Sequence, residues 1–408
     1  LETADLRAIG SAAVRGFSTS QVSALGAGLF TALSSAAVRG LTAAQLAAVD
    51  GSQLAVAALG SGELGGLSTG QVSQFTTAQV TALTSVSIRG LSTAQLNALG
   101  TGKISALEAV DVAALLSAQW RGFSTAQLQQ FDTAQTASIA SGAIGGLSTE
   151  QVDALSTTQL AALSSVNIRG LSSTQLGAIA TAKVGALETV DVLALSSIQI
   201  QGFTEGQIAQ LSLEQITAFS SLAVKGLSTA QLAVLGTAKL TALESLDIAA
   251  LGSAQLRGFS TAQLEQFRTS QIGAIGSAAI SGLTTSQVDS LSPAQLSALS
   301  SSGIRGLGDV QLQAIATAKI TALESLDLVA LTSVQLGFLS SNQIAQLTAA
   351  QLPGLSVINI KGLSPAQVGA LSSAQLQGLS AAQLSALSAT QLQGIVPARI
   401  SAIDNSDI

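Results

Sequence analysis

Cysteine, histidine, methionine and tyrosine are all absent from this chain of 408 residues, and charge and aromatic rings are scarce. Without cysteine there can be no disulfide and no thiolate metal site, although an exported protein can also lack it, so the redox compartment stays open. Without histidine the usual proton shuttle and the commonest metal ligand are missing. Charged residues make up 9% of the chain, against about a quarter in ordinary globular proteins. The net charge of −6 speaks against a nucleic-acid binder, which calls for a basic stripe interleaved with aromatics. Hydrophobic residues reach 47%, too many for a disordered tract. Polar Ser and Gln nevertheless break every apolar run well short of the roughly 20 residues a membrane helix needs, so no span is expected.

What the chain does have is a period. LSSAQLQG at 371–378 is followed by LSAAQLSA and LSATQLQG. Each octad carries an aliphatic at position 1, Ser or Thr at 2, usually Ala at 4, Gln at 5, an aliphatic at 6 and Ala or Gly at 8. Stepping back by eight from Ile403, every stop as far as Leu59 is Leu, Ile or Phe. A two-residue insertion within Val49 to Ala58 shifts the phase once, and the steps then resume through Val49, Leu41, Leu33, Leu25, Phe17 and Ile9 to Leu1. Residues 1–408 therefore read as a single continuous octapeptide-repeat solenoid, whose units contact mainly their neighbours. The chain opens on LETADLRA and stops within an octad at IDNSDI, so it reads as a segment of a longer one.

The octad predicts a short helical turn. In LSPAQL (Leu291 to Leu296) and LSPAQV (Leu363 to Val368), Ser precedes Pro and Gln follows three residues after Ser. Ser at the N-cap with Gln at N3 is a capping box, and the aliphatics at positions 1 and 6 form the hydrophobic staple around it. Pro at N1 loses no helical hydrogen bond, and Glu150, Glu205 and Glu214 fall in the first turn, where the helix dipole favours an acid. One long helix is excluded, because eight residues advance about 80° past two full turns and would spiral the Leu stripe around the axis. An isolated turn is unstable in water, so these turns must form by packing on neighbouring coils.

A second octad type ends in a basic residue and Gly: LTSVSIRG (Leu83 to Gly90), LSSVNIRG (Leu163 to Gly170) and LSVINIKG (Leu355 to Gly362). Its β-branched residues alternate, which predicts one short parallel strand per coil. A helical turn closed by the Gly and an all-β solenoid are the alternatives. From Leu91 these marker octads recur after four, three, three, four and three octads, a cycle of 17 octads that then repeats. Five intervals share the 17, which gives about 3.4 octads per coil, a size within the range of known solenoid repeats. One arrangement alternates coils of roughly 24 and roughly 32 residues, three and four octads each. In the other the pitch is non-integral, and markers stand wherever an octad comes round to one face. Both place the basic marker residues Arg15, Arg39, Arg89, Arg121, Arg169, Lys225, Arg257, Arg305 and Lys361 in one stripe, the expected interface. An adjoining coil, a second solenoid or an anionic glycan could oppose it.

The densest charge motif occurs four times: Lys103/Glu108/Asp111, Lys183/Glu188/Asp191, Lys239/Glu244/Asp247 and Lys319/Glu324/Asp327. Pairing of these acids with the nearby Lys is the expected role. Calcium at Glu108, Asp111, Glu188, Asp191, Glu244, Asp247, Glu324 and Asp327 is the alternative, but one Glu and one Asp per copy fall short of the six or more oxygens that ion takes. No catalytic residue, metal or cofactor is assigned, and the chain reads as a non-enzyme.

Runs of L-S/T-x-A-Q-L octads resemble the repeat regions of very large bacterial secreted or surface proteins of the adhesin and extracellular-matrix kind. The resemblance implies an extracellular or cell-surface location and a scaffold or adhesion role. With low charge, a uniform array and one distinct stripe, the chain is expected to self-assemble into a filament, sheet or surface layer. The alternative is a monomeric adhesin or spacer that binds anionic glycans through its Arg/Lys stripe.

Overall fold

The computed structural model describes residues 2–25, 32–48 and 59–400; the insertion expected within Val49 to Ala58 lies outside them. The chain divides into two compact units, Leu1–Leu211 and Ser212–Ile408, each made of the same helical turns.

The octad folds as its capping chemistry dictates. At 291–298, Ser292 N–H donates to Gln295 Oε1 (2.9 Å), and Gln295 N–H donates back to Ser292 Oγ (3.2 Å). Pro293 occupies the first helical position, and the helix runs Pro293–Ser297. Leu291 N–H and Leu299 N–H each close the preceding turn on the carbonyl three residues back, so the helix ends as the next aliphatic turns inward. Positions 1 and 6 supply the core: Leu291, Leu296 and Leu299 are all buried. Each contributes about 2 kcal/mol by leaving water, which is what holds helices of four to six residues that could not persist alone.

The marker octads correct the expected strand. Leu163–Gly170 contains the helix Ser165–Gly170, with Ser164 and Asn167 as its capping box. Leu83–Gly90 and Leu355–Gly362 end in the 3₁₀ turns Ile88–Gly90 and Asn359–Gly362. Among the described residues there is no strand, so the strand per coil and the all-β alternative both fall. The misleading alternation has a simple cause. Positions 4 and 6 are two residues apart, or about 200° around a helix, so one points out whenever the other points in, as in a strand.

The coil register comes from side chains that cross between coils. Gln295 Nε2 donates to Leu264 O and Phe267 O, 31 and 28 residues back, both at 2.9 Å. In the first unit Gln95 reaches Leu64 O (2.9 Å) and Leu67 O (2.7 Å) at the same separations. Helices meanwhile pack on helices three octads away, as Thr125–Leu128 does on Thr149–Ala154 and Thr261–Glu265 on Thr285–Ser290. Contact with both the third and the fourth octad back requires a turn longer than three octads and shorter than four. Each octad therefore straddles the junction of two octads below, like a brick in running bond, and among the described residues the same register recurs along each unit with no alternation of coil size.

Gln thus closes both ends of the backbone accounting. Its Oε1 and its own N–H cap one helix start, while its amide N–H groups satisfy carbonyls left open at a helix end one coil away. Lys and Arg can replace it: Lys103 Nζ donates to Ser73 O at 2.6 Å, and Arg399 Nη1 to Gly369 O and Leu371 O at 2.6 and 2.8 Å.

The marker glycines answer to packing rather than to a left-handed cap. Among the described residues only Gly100 has positive φ. At Gly122 a Cβ would stand 2.5 Å from Thr93 O and 2.6 Å from Thr93 Cα, and Gly282 meets Ser253 in the same way. On the marker face the backbones are closer than a methyl group allows.

A candidate interaction face

The basic marker residues project from the ends of their helices, and several are tied down. The Nε of Arg15, Arg89, Arg121, Arg257 and Arg305 donates to the carbonyl 25 residues on, of Gly40, Ala114, Gly146, Gly282 and Ala330, at 3.0, 3.0, 3.4, 3.3 and 2.8 Å. Arg169, Lys225 and Lys361 are exposed at the equivalent place; the side chain of Arg39 lies outside the described ones.

The acids of the four-fold motif split, one outward and one inward. Glu108, Glu188, Glu244 and Glu324 sit at the N-cap and are exposed. Asp111, Asp191, Asp247 and Asp327 sit at N3, where other octads place Gln, and are buried. Their carboxylates accept from the backbone N–H of the capping Glu in three copies (3.2, 2.9 and 3.0 Å at Asp191, Asp247 and Asp327). The hydroxyls of Ser85 and Ser221, on the coil below, donate to Asp111 and Asp247 at 3.2 and 3.0 Å. Asp111 Oδ2 and Asp191 Oδ1 have no hydrogen-bond partner. Burial raises all four carboxyls, with the neighbouring Glu charge adding to it, and Asp191 is pushed up to about 6. By contrast the exposed Glu150 and Glu214 are held below the usual range by their own backbone N–H and the capping Ser148 and Ser212.

At Lys183 and Lys319 the expected pairing of these acids with the motif's own Lys is not what forms. Lys183 donates to Asp153 O and lies 3.7 Å from Asp153 Oδ1. Lys319 donates to Asp289 O and lies 3.9 Å from its Oδ1. The reason is the register: a residue at position 5 faces the helix end 30 residues back, whatever its local neighbours. Among the described residues no group of three or more His, Cys, Asp or Glu could hold a metal ion, and no helix is long and apolar enough to cross a membrane.

A third set of residues is visible only in the folded chain. Position 4, usually Ala, carries large aliphatics that stand in solvent: Val86, Val110, Val166, Val190, Leu222, Leu246 and Leu326 are 55–72% exposed. For Val86, Val166 and Leu222 the signal lies in the marker octads, where it imitates the alternation of a strand; Val110, Val190, Leu246 and Leu326 stand in the acid-bearing octads.

The fold joins the three sets into one recurring tile. Four of the marker turns pack on the acid-bearing helix one coil on: Ile88–Gly90 on Ala109–Ala114, Ser165–Gly170 on Thr189–Leu193, Ser221–Gly226 on Ser245–Ala249, and Ser301–Arg305 on Ser325–Ala330. The tiles are Val86/Arg89/Glu108/Val110, Val166/Arg169/Glu188/Val190, Leu222/Lys225/Glu244/Leu246 and, with Ser302 in place of the first aliphatic, Arg305/Glu324/Leu326. Each unit holds two tiles, ten octads apart. Ten octads are close to three turns at about 3.4 octads each, so the two tiles of a unit share a face.

Seven stretches of the chain, residues 1–35, 56–86, 184–221, 240–277, 266–301, 320–357 and 360–395, match the sequence profile of the ALTTAQ repeat and together take in more than half of it. No curated protein matches the chain.

Proposed function

This chain belongs to the ALTTAQ repeat family, and we propose that it is a structural, non-catalytic array that associates with itself to build a filament, sheet or surface layer. The observation that carries this reading is the exposed aliphatic face. An octad that can place Ala at position 4 instead places Val or Leu there, repeatedly and in pairs on helices that pack together. Contiguous exposed apolar surface of this kind marks association. The polar side chains support the reading from the other direction: Ser and Gln are consumed in caps and coil-to-coil bonds, which leaves few groups to recognise a soluble ligand. An extracellular location is part of the proposal and rests on the resemblance to secreted repeat proteins.

An anionic glycan held by the basic row is the competing reading. It is disfavoured because Glu108, Glu188, Glu244 and Glu324 stand on the same tiles and would repel a polyanion. Sedimentation velocity and electron microscopy of the purified protein, across protein and salt concentrations, test the proposal. Ordered oligomers or polymers are the expected result; dispersed monomers under every condition refute it.

A further inference from the structure

The tiles carry an orientation as well as an apolar centre. In the first, Glu108 stands at the N-cap position of the helix Ala109–Ala114, and Arg89 from the coil below binds the Ala114 carbonyl at its end. Val110, with Val86 on the turn it packs against, is exposed between them. The fourth tile repeats this with Glu324 at the start of Ser325–Ala330, Arg305 on the Ala330 carbonyl and Leu326 between. Six residues of helix span about 9 Å, so each tile is a short bar, negative at one end, apolar in the middle and positive at the other. The ion pairs Lys183–Asp153 and Lys319–Asp289 use neither end.

A bar of this kind is complementary to itself when reversed. We infer that the partner of this face is a second copy of the chain, set against it so that facing tile helices run antiparallel and the Glu of each tile lies on the basic residue of the tile it faces. The inference rests on the self-association reading and adds its geometry. Two face-to-face arrangements are symmetric. With the two-fold axis along the direction in which coils stack, tile helices oppose one another head to tail and every Glu meets a base. With the axis along the tile helices, Arg faces Arg and Glu faces Glu, and like charges pressed together across an apolar centre disfavour that docking. The first arrangement is an isologous pairing in which the same patch serves both copies, and it leaves the coils of both stacking in the same direction.

Three charge variants of the full chain read this by sedimentation velocity. One changes the acids, Glu108→Lys, Glu188→Lys, Glu244→Lys and Glu324→Lys. A second changes the bases, Arg89→Glu, Arg169→Glu, Lys225→Glu and Arg305→Glu. The third combines both sets. The acid set leaves the Arg-to-carbonyl bonds between coils intact, so it reports on association even if the basic set loosens the fold. Each single set is expected to weaken self-association by at least about tenfold, since several pairs are inverted at once and each contributes up to about 1 kcal/mol. A one-to-one mixture of the two single sets and the combined variant alone should both recover the parent's affinity. Parent-like association of the acid set overturns the inference while leaving self-association standing. A parent that stays monomeric overturns both. A parent that associates only when an anionic polysaccharide is added assigns the face to the glycan instead.

Discussion

Replacing Asp191 by Asn should stabilise its coil strongly above neutral pH and hardly at all in acid. Asp191 occupies the octad position where Gln donates to carbonyls of an earlier coil, and an ionised carboxylate has nothing to donate there. Burial is the main cause of its raised pKa, from 3.8 to about 6, with the Glu188 charge adding to it and the hydrogen bond from Glu188 N–H partly offsetting both. The sign follows from linkage: the folded chain holds this proton more tightly than the unfolded one, so stability falls as pH rises through the interval and stays low above it. A gap of about two pH units at about 1.4 kcal/mol each amounts to ~3 kcal/mol at pH 8. Asn removes the charge and supplies the donor, as Asn359 does at the same octad position by reaching Leu328 O at 2.7 Å. Because arrays open locally, native-state hydrogen exchange of the amides in Thr189–Leu193 is the assay of choice. Protection should rise about a hundredfold over the parent at pH 8 and only about threefold at pH 4, each tenfold being about 1.4 kcal/mol. An increment that is the same at both pH values would refute the reasoning.

Gly122→Ala should destabilise by about 2 kcal/mol or more, since its new methyl meets Thr93 backbone that cannot yield. Gly142→Ala, in open space on a helix, should be neutral or gain up to about 1 kcal/mol; chemical denaturation of the two side by side checks the contrast. Gln271→Ala strips donors from Leu240 O and Leu243 O and the acceptor from Arg268 N–H, for an expected loss of about 3 kcal/mol measured in the same way. Trp120 is the one tryptophan, fully buried and packed at a tilt against Phe123 and Phe131, ring centroids 5.4 and 5.7 Å apart. Its emission should therefore be blue-shifted and resistant to quenchers until the first unit unfolds, and a solvent-exposed spectrum from the folded protein would contradict the packing.

Local chemistry was legible in the sequence and remote chemistry was not. Ser292, Pro293 and Gln295 announce a helix start because all the partners lie within three residues. The period of eight announces an array for the same reason. Nothing near Gln295 in the chain says that its amide will hold Leu264 and Phe267, because that depends on how many octads make a turn. Lys183 misled for the same cause: Glu188 is close in sequence, but Asp153 is close in space. The exposed valines of the marker octads failed differently. Alternation over two positions is common to strands and short helices, and only the capping pair Ser164 and Asn167 distinguishes them.

The running-bond register has a consequence for how such a chain can grow. An extra octad inserted anywhere finds its sockets ready, because each brick needs only the generic carbonyls and aliphatics beneath it. The same insertion turns everything after it by ~106° about the stacking direction, one part in 3.4 of a revolution for one more unit of a repetitive array. Stability therefore tolerates lengthening by one octad, while the tiles keep their face only when near-whole turns are added, closely with ten octads and fully with a cycle of 17. Duplication by the cycle disturbs neither, and the near-identity of RGFSTAQLQQF at Arg121 to Phe131 with RGFSTAQLEQF at Arg257 to Phe267, one full cycle on, bears that gearing as a ratchet bears its teeth.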